Sequence, residues 1–156
     1  MSDGPVNGGE LDDLCRQLEQ RWHLEIPISS AMGIEVVSFA EEELIVRAAL
    51  TPNVNVHGSA FAGSQFSLAS LCGWGQLHMQ LARRGLDASI IFVDGRIECL
   101  KPVRADMAAR CRLSEEATAA LDRLASEGRG RCRLSARIES GGELAAAFTG
   151  TYGLKL

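Results

Sequence analysis

The chain has no apolar run long enough to span a bilayer, no C-x-x-C pair and no excess of basic residues. Each absence removes a class of function. A membrane-spanning helix needs about 20 consecutive apolar residues, so no membrane partner is expected. The five cysteines, Cys15, Cys72, Cys99, Cys111 and Cys132, are odd in number and widely spaced. That spacing suits neither a disulfide framework nor a zinc site, and no metal is expected. Such cysteines usually act as small buried hydrophobes. A net charge of −4 argues against nucleic acid as the main partner. The stretch from Met1 to Gly9 is polar and Gly-rich and lacks the apolar core of a secretory signal. It is expected to be a disordered leader, followed by a single domain over 10–156 in a cytoplasmic protein. There is no internal repeat.

One further absence is local. From Ser59 to Arg84 there is no Asp or Glu. This segment carries Phe61, Phe66, Leu68, Leu71, Trp74, Leu77 and Leu81 at helical spacing, with Gly63, Gly73 and Gly75 among them. A helix apolar on most sides is buried. Each internal Gly costs up to about 1 kcal/mol relative to Ala, so their presence implies close packing or a bound ligand.

The 156 residues together are 46% apolar and 23% charged, enough for one domain with a real core. Residues 10–22 read as an amphipathic helix with Leu11, Leu14, Leu18 and Trp22 on one face. A short helical turn is expected over 28–32. Strands are expected over 34–39 and 44–50, joined by the charged turn Glu41-Glu42-Glu43 and stopped by Pro52. The long helix is expected over 59–84. Strands follow over 89–101, 107–113, 131–138 and 144–154, the last with Leu144, Ala146, Phe148 and Tyr152 on one face. Gly95 marks a bulge or close approach. A capped helix over 114–127 interrupts them, and Gly141-Gly142 turns the final hairpin. Two strands cannot cover one apolar helix. An antiparallel sheet of about six strands wrapped around it does.

The most informative run is Asn53-Val54-Asn55-Val56-His57-Gly58-Ser59-Ala60-Phe61-Ala62-Gly63-Ser64, which leads from a strand into the long helix. A polar, Gly-containing start to a buried helix offers free backbone N–H groups to a carbonyl or an anion. Ile26-Pro27-Ile28, Pro52-Asn53-x-Asn55, Ala60-Phe61-Ala62-Gly63-Ser64, Ser67-Leu68-Ala69-Ser70-Leu71-x-Gly73-Trp74 and Leu100-Lys101-Pro102-Val103-Arg104 occur in order. Together they resemble the hotdog fold. The likeness is nearest to the domain, assigned as a thioesterase, that follows an acetyltransferase domain in some bacterial proteins. It covers roughly residues 24–154.

The resemblance implies an α+β hotdog domain and a thioesterase acting on an acyl-CoA or acyl-carrier thioester. The coenzyme A moiety enters only as part of the substrate, and no separate cofactor is implied. A homodimer or dimer of dimers is expected. The alternative is a non-catalytic module that binds or senses acyl thioesters. Many hotdog thioesterases place an Asn eight residues before a Gly at the helix start and a carboxylate seven residues after it. Counted from Gly63, these positions hold Asn55 and Ser70, so a hydroxyl replaces the acid.

The candidate site residues therefore each have two readings. Gly63 supplies an oxyanion-binding amide or merely permits packing. Asn55 holds water or a substrate amide, or is a turn residue, and Asn53 competes for that role. His57 is the loop's only group titrating near neutrality, or a structural loop residue. Ser70 orients water, or packs. Ser64 contacts substrate, or is a first-turn polar residue. Asp94, at the end of the apolar run Ile90-Ile91-Phe92-Val93, reaches a site at a subunit boundary in place of the missing helix acid, or pairs with Arg96 or an Arg of a partner chain. Lys101 and Arg104 contact substrate phosphates, or are solvated surface.

Overall fold

The computed structural model describes residues 7–156. Residues 1–6, most of the expected leader, lie outside the described residues. Helix α1 (Gly8–Glu25) opens on a reciprocal cap. The Asn7 side chain accepts from Glu10 N, and the Glu10 carboxylate accepts from Asn7 N. Gly8 and Gly9, assigned to the leader on composition, are thus the first turn of α1. Cys15, Leu18 and Trp22 are its buried stripe. Pro27 opens the short α2 (Pro27–Ala31), where its missing N–H costs nothing.

Strands β1 (Glu35–Ala40) and β2 (Glu43–Ala48) form a hairpin whose turn residues Glu41 and Glu42 have φ of 50° and 63°. Side chains other than Gly rarely adopt this region, so something must hold the turn. A short 3-10 turn, Thr51–Asn53, leads toward the long helix α3 (Ala62–Arg83). Next come β3 (Ser89–Cys99) and β4 (Met107–Arg112). Helix α4 (Glu115–Glu127) is capped by the Ser114 hydroxyl at one end and by Gly128, with φ 78°, at the other. Strands β5 (Arg129–Ser140) and β6 (Glu143–Lys155) complete the chain around the Gly141-Gly142 turn.

The six strands form one antiparallel sheet in the order β1-β2-β4-β5-β6-β3, and its inner face packs on α3. Inward positions alternate as expected for a half-buried sheet: Leu44 and Val46, Ala109 and Cys111, Leu134 and Ala136, Phe148 and Tyr152. Leu68, Leu77 and Met79 of α3 are fully buried, each contributing about 1.5–3 kcal/mol. The two Gly residues in mid-helix mark close packing rather than ligand binding. A Cβ on Gly73 would run into the Tyr152 hydroxyl, and one on Gly75 would sit 2.7 Å from Leu44 and 2.9 Å from Trp22. Among the described residues, no helix is long and apolar enough to cross a membrane.

Two expectations change. The long helix starts at Ala62 rather than Ser59, because Ala60 N donates to Val103 O and Phe61 N to Asn53 O, which holds residues 59–61 extended. Leu144 does not share the face of Ala146. The pairing slips between Ile138 and Glu139, so Ala145 turns inward and Leu144 is exposed. A bulge also sets the direction of Asp94. A bulge at Val93 shifts the pairing so that Phe92 opposes Tyr152 while Asp94 opposes Thr151. Phe92 therefore faces α3 and Asp94 the outer surface. Beyond the bulge, Gly95 is a close-approach point: a Cβ there would lie 2.7 Å from Phe92 and 3.0 Å from Phe148.

Candidate functional site

The loop before α3 is built by its asparagines. Asn53 is buried, and its side-chain amide donates to Met32 O and Ala49 O at 2.8 Å each. Its backbone carbonyl accepts from Phe61 N at 2.7 Å, and Val54 bridges Ala60. Asn55 forms an Asx turn. Its side-chain oxygen accepts from His57 N at 2.8 Å and Ser59 N at 3.2 Å, while its amide donates to Ser59 Oγ at 3.1 Å. Asn55 thus shapes the loop with most of its hydrogen-bonding capacity. His57 stands at the exposed tip, and its ring makes no hydrogen bond among the described residues.

The loop delivers the chain to an uncapped helix start. Phe61 at the N-cap position provides no side-chain acceptor, and the first N–H returned to the helix is that of Gln65, to Phe61 O at 3.1 Å. The amides of Ala62, Gly63 and Ser64 meet no acceptor among the described residues. Ala62 is exposed, and Gly63 and Ser64 are half-buried. Free amides at the positive end of a 22-residue helix are suited to an oxyanion or a polarised carbonyl. A Cβ on Gly63 would collide with the Phe61 ring, itself half-exposed and free to move. The Ser64 hydroxyl makes no hydrogen bond within the described chain. Gln65, which the sequence reading passed over, is buried. Its amide donates to Ala60 O at 3.1 Å, and its carbonyl oxygen has no partner. The Asn53 side-chain oxygen is likewise unpartnered. A polar residue at an otherwise apolar helical position was the available signal for Gln65.

Ser70 lies two turns further along. Its hydroxyl donates to Ser67 O at 3.0 Å, and its own carbonyl accepts the Tyr152 hydroxyl at 2.7 Å. With its proton committed, Ser70 offers only lone pairs to a visitor. Asp94, on the outer side of β3, is not brought to the start of α3 within the chain and makes no ion pair among the described residues. Lys101 pairs with Glu143 at 3.3 Å, and with Arg104 it lines a hollow of about 220 Å³. That hollow adjoins the loop, since Val103 O accepts from Ala60 N at 2.8 Å. The buried thiols are not nucleophiles. Burial pushes Cys111 up to about 12 and Cys132 up to about 11, with neighbouring Cys132 and Glu116 respectively adding to the effect.

This geometry has known relatives. The family model described as "Putative thioesterase (yiiD_Cterm)" matches residues 15–155. The chain belongs to that family. A solved structure from Shewanella oneidensis, described as a putative thioesterase, is 32% identical over 93% of this chain and 98% of its own, with a TM-score of 0.82. A protein of unknown function from Chlorobaculum tepidum TLS is 26% identical over 93% of this chain and 96% of its own, with a TM-score of 0.87. A thioesterase from Haemophilus influenzae shares the fold at 16% identity, with a TM-score of 0.68 over 97% of this chain and 92% of its own. The architecture of this member of the thioesterase family is accordingly the hotdog fold, α+β, with the helix α3 wrapped by the sheet.

Proposed function

We propose that the protein hydrolyses an acyl thioester carried by coenzyme A or by a carrier protein. The observation that carries this reading is the uncapped start of α3, with the amides of Ala62, Gly63 and Ser64 free. The thioester carbonyl docks there, and the Gly63 amide stabilises the oxyanion as water adds to the carbonyl carbon. Losing one such donor typically costs about 2.7–4 kcal/mol of transition-state stabilisation. His57 is assigned as the base that takes the proton from that water, being the loop's free titratable group. Asn55 positions the loop, Ser64 contacts the acyl group and Ser70 accepts a hydrogen bond from water. Collapse of the intermediate expels the thiolate, which takes up the proton. Lys101 and Arg104 face the phosphate of the substrate's arm.

Assembly belongs to the same reading. Among the described residues strand β3 pairs only with β6, leaving an open edge along its 11 residues. On it Ile91, Phe92 and Val93 are exposed. We assign this edge to a two-fold partner in a cytoplasmic homodimer, a location in keeping with free rather than bridged cysteines. Light scattering at micromolar concentration tests it, and a strict monomer rejects it.

The absence of a carboxylate on α3 favours one second reading, a module that binds acyl thioesters without turning them over. A thiol-release screen over acyl-CoAs and acyl-carrier proteins, run beside direct binding, separates the two. Release of thiol supports hydrolysis. Saturable binding with no release supports the sensor.

A further inference from the structure

The outer face of the sheet opposes the overall charge of the molecule. Although the chain carries −4, alternate positions of β5 present Arg129, Arg131, Arg133 and Arg137 outward, and β4 adds Arg110 and Arg112. Three carboxylates partly offset them. Glu43 lies 3.1 Å from Arg110 and 3.8 Å from Arg112. Glu139 lies 3.0 Å from Arg110 and 3.8 Å from Arg137, and Glu116 lies 3.7 Å from Arg133. Arg129 and Arg131 have no carboxylate partner among the described residues. Arg110 and Arg137 stand directly opposite each other across the strands, an arrangement that destabilises a sheet. Such a stripe is unfavourable for the isolated fold, and an anionic partner removes the penalty.

Length and composition select the partner. From Arg129 to Arg137 the row spans about 27 Å, more than the phosphates of one nucleotide require. A single-stranded nucleic acid also calls for aromatic platforms, and β4 and β5 contain no aromatic residue. A second copy in two-fold register would set arginine against arginine. An acidic protein surface, such as a helix with carboxylates along one side, matches both the sign and the reach. The stripe also ends near the site. Ser140, three residues beyond Arg137, donates to Asp106 O at 2.9 Å, and the same loop reaches Ala60 through Val103.

We propose that the β4–β5 arginine stripe docks an acidic carrier protein, so that the thioester presented to α3 is carried by a protein rather than by coenzyme A. This rests on the thioesterase reading above. The docking itself forms no covalent bond. It raises the local concentration of the acyl arm at the hollow of Lys101 and Arg104.

The test uses the full chain, Arg131→Glu/Arg133→Glu and Arg131→Ala/Arg133→Ala, with one acyl chain loaded either on a bacterial acyl carrier protein or on coenzyme A. Melting checks that the variants fold. The expected result is that charge reversal raises KM for the acyl-carrier substrate at least about tenfold, with kcat little changed, while kcat/KM for acyl-CoA stays within about twofold. The alanine pair should show a smaller rise, and salt should weaken only the wild type's preference. Equal losses on both substrates, or no loss on either, overturn the proposal. So does a wild type that hydrolyses acyl-CoA but not the acyl-carrier substrate, an outcome that leaves the thioesterase reading intact. If neither is hydrolysed, that reading fails instead. Fluorescence anisotropy with the labelled carrier protein then decides the docking: binding lost on charge reversal supports it, and no binding overturns it. Tighter stripe-dependent binding of a single-stranded oligonucleotide also overturns it.

Discussion

The two halves of α3 treat their polar groups in opposite ways. Toward the C-terminal end the buried side-chain amides are paired. Gln76 donates to Cys111 O at 2.7 Å and to Glu42 O at 2.8 Å, and its own side-chain oxygen accepts from Gln80 at 3.1 Å. Gln80 and Arg83 both donate to the Glu42 carboxylate at 2.6 Å. This ladder holds the left-handed Glu41-Glu42 turn, answering what keeps two non-glycine residues at positive φ. At the N-terminal end the helix leaves three amides free, and the buried oxygens of Gln65 and Asn53 lack partners. Satisfied polar groups make the fold rigid, and unsatisfied ones beside solvent are what a ligand has to meet. The glycines divide the same way: Gly73 and Gly75 face core side chains, whereas Gly63 faces a half-exposed ring.

The comparison breaks most visibly at those glycines. Gly73→Val should destabilise the protein by about 3 kcal/mol, because the new side chain must displace Tyr152 from the core. Denaturant unfolding would measure it, and a loss below about 1 kcal/mol would mean that the core is looser than described. Gly63→Val should leave the folding midpoint nearly unchanged, since the Phe61 ring can swing away. It should nonetheless lower thioester turnover or acyl-CoA affinity at least about 100-fold by closing the approach to the amides. Unaltered kinetics in that folded variant would remove Gly63 from the site.

The polar ladder supplies the next effect. Gln76→Leu removes a donor from the carbonyls of Glu42, which keeps Leu113 N, and of Cys111, and takes away the acceptor of Gln80, at a cost of about 2 kcal/mol. Chemical denaturation reads the loss, and turnover by the surviving folded fraction should match the wild type. The smallest effect is one of pH. Burial tends to raise the Glu42 carboxyl, but hydrogen bonds from Arg83 and Gln80 outweigh it and hold the group below the usual carboxylate range. A carboxyl lowered by folding stabilises the native state above its unfolded value, and that contribution disappears as pH falls through the lowered folded value. Exposure limits it to less than about 1 kcal/mol. The melting temperature of the wild type should therefore fall relative to Glu42→Gln as pH drops from about 5 toward 3, a window bracketing ordinary carboxylate values. Parallel curves would show that Glu42 contributes no stability through its charge.

Much of this protein was determined by its residues alone. Helical spacing of large apolar side chains without a single acid between Ser59 and Arg84 requires a buried helix, and alternating strands around it require a wrapped sheet. The Asn53–Ser64 run announces a polar helix start for the same local reason, and Cys111 and Cys132 are core as their strand positions imply, whereas Cys99 is exposed. The tertiary structure decided what depends on register and on distant partners. A single bulged residue, Val93, turns Asp94 away from α3, and another slip sends Leu144 outward, because strand period two inverts every side chain beyond an extra residue. Gly73 and Gly63 look alike in a sequence, and only Tyr152 and Phe61 distinguish them. The carbonyls that engage Asn53 and Gln76 come from residues as far apart as Met32 and Cys111, so which polar groups remain free at the start of α3 emerges only once the sheet has closed around it.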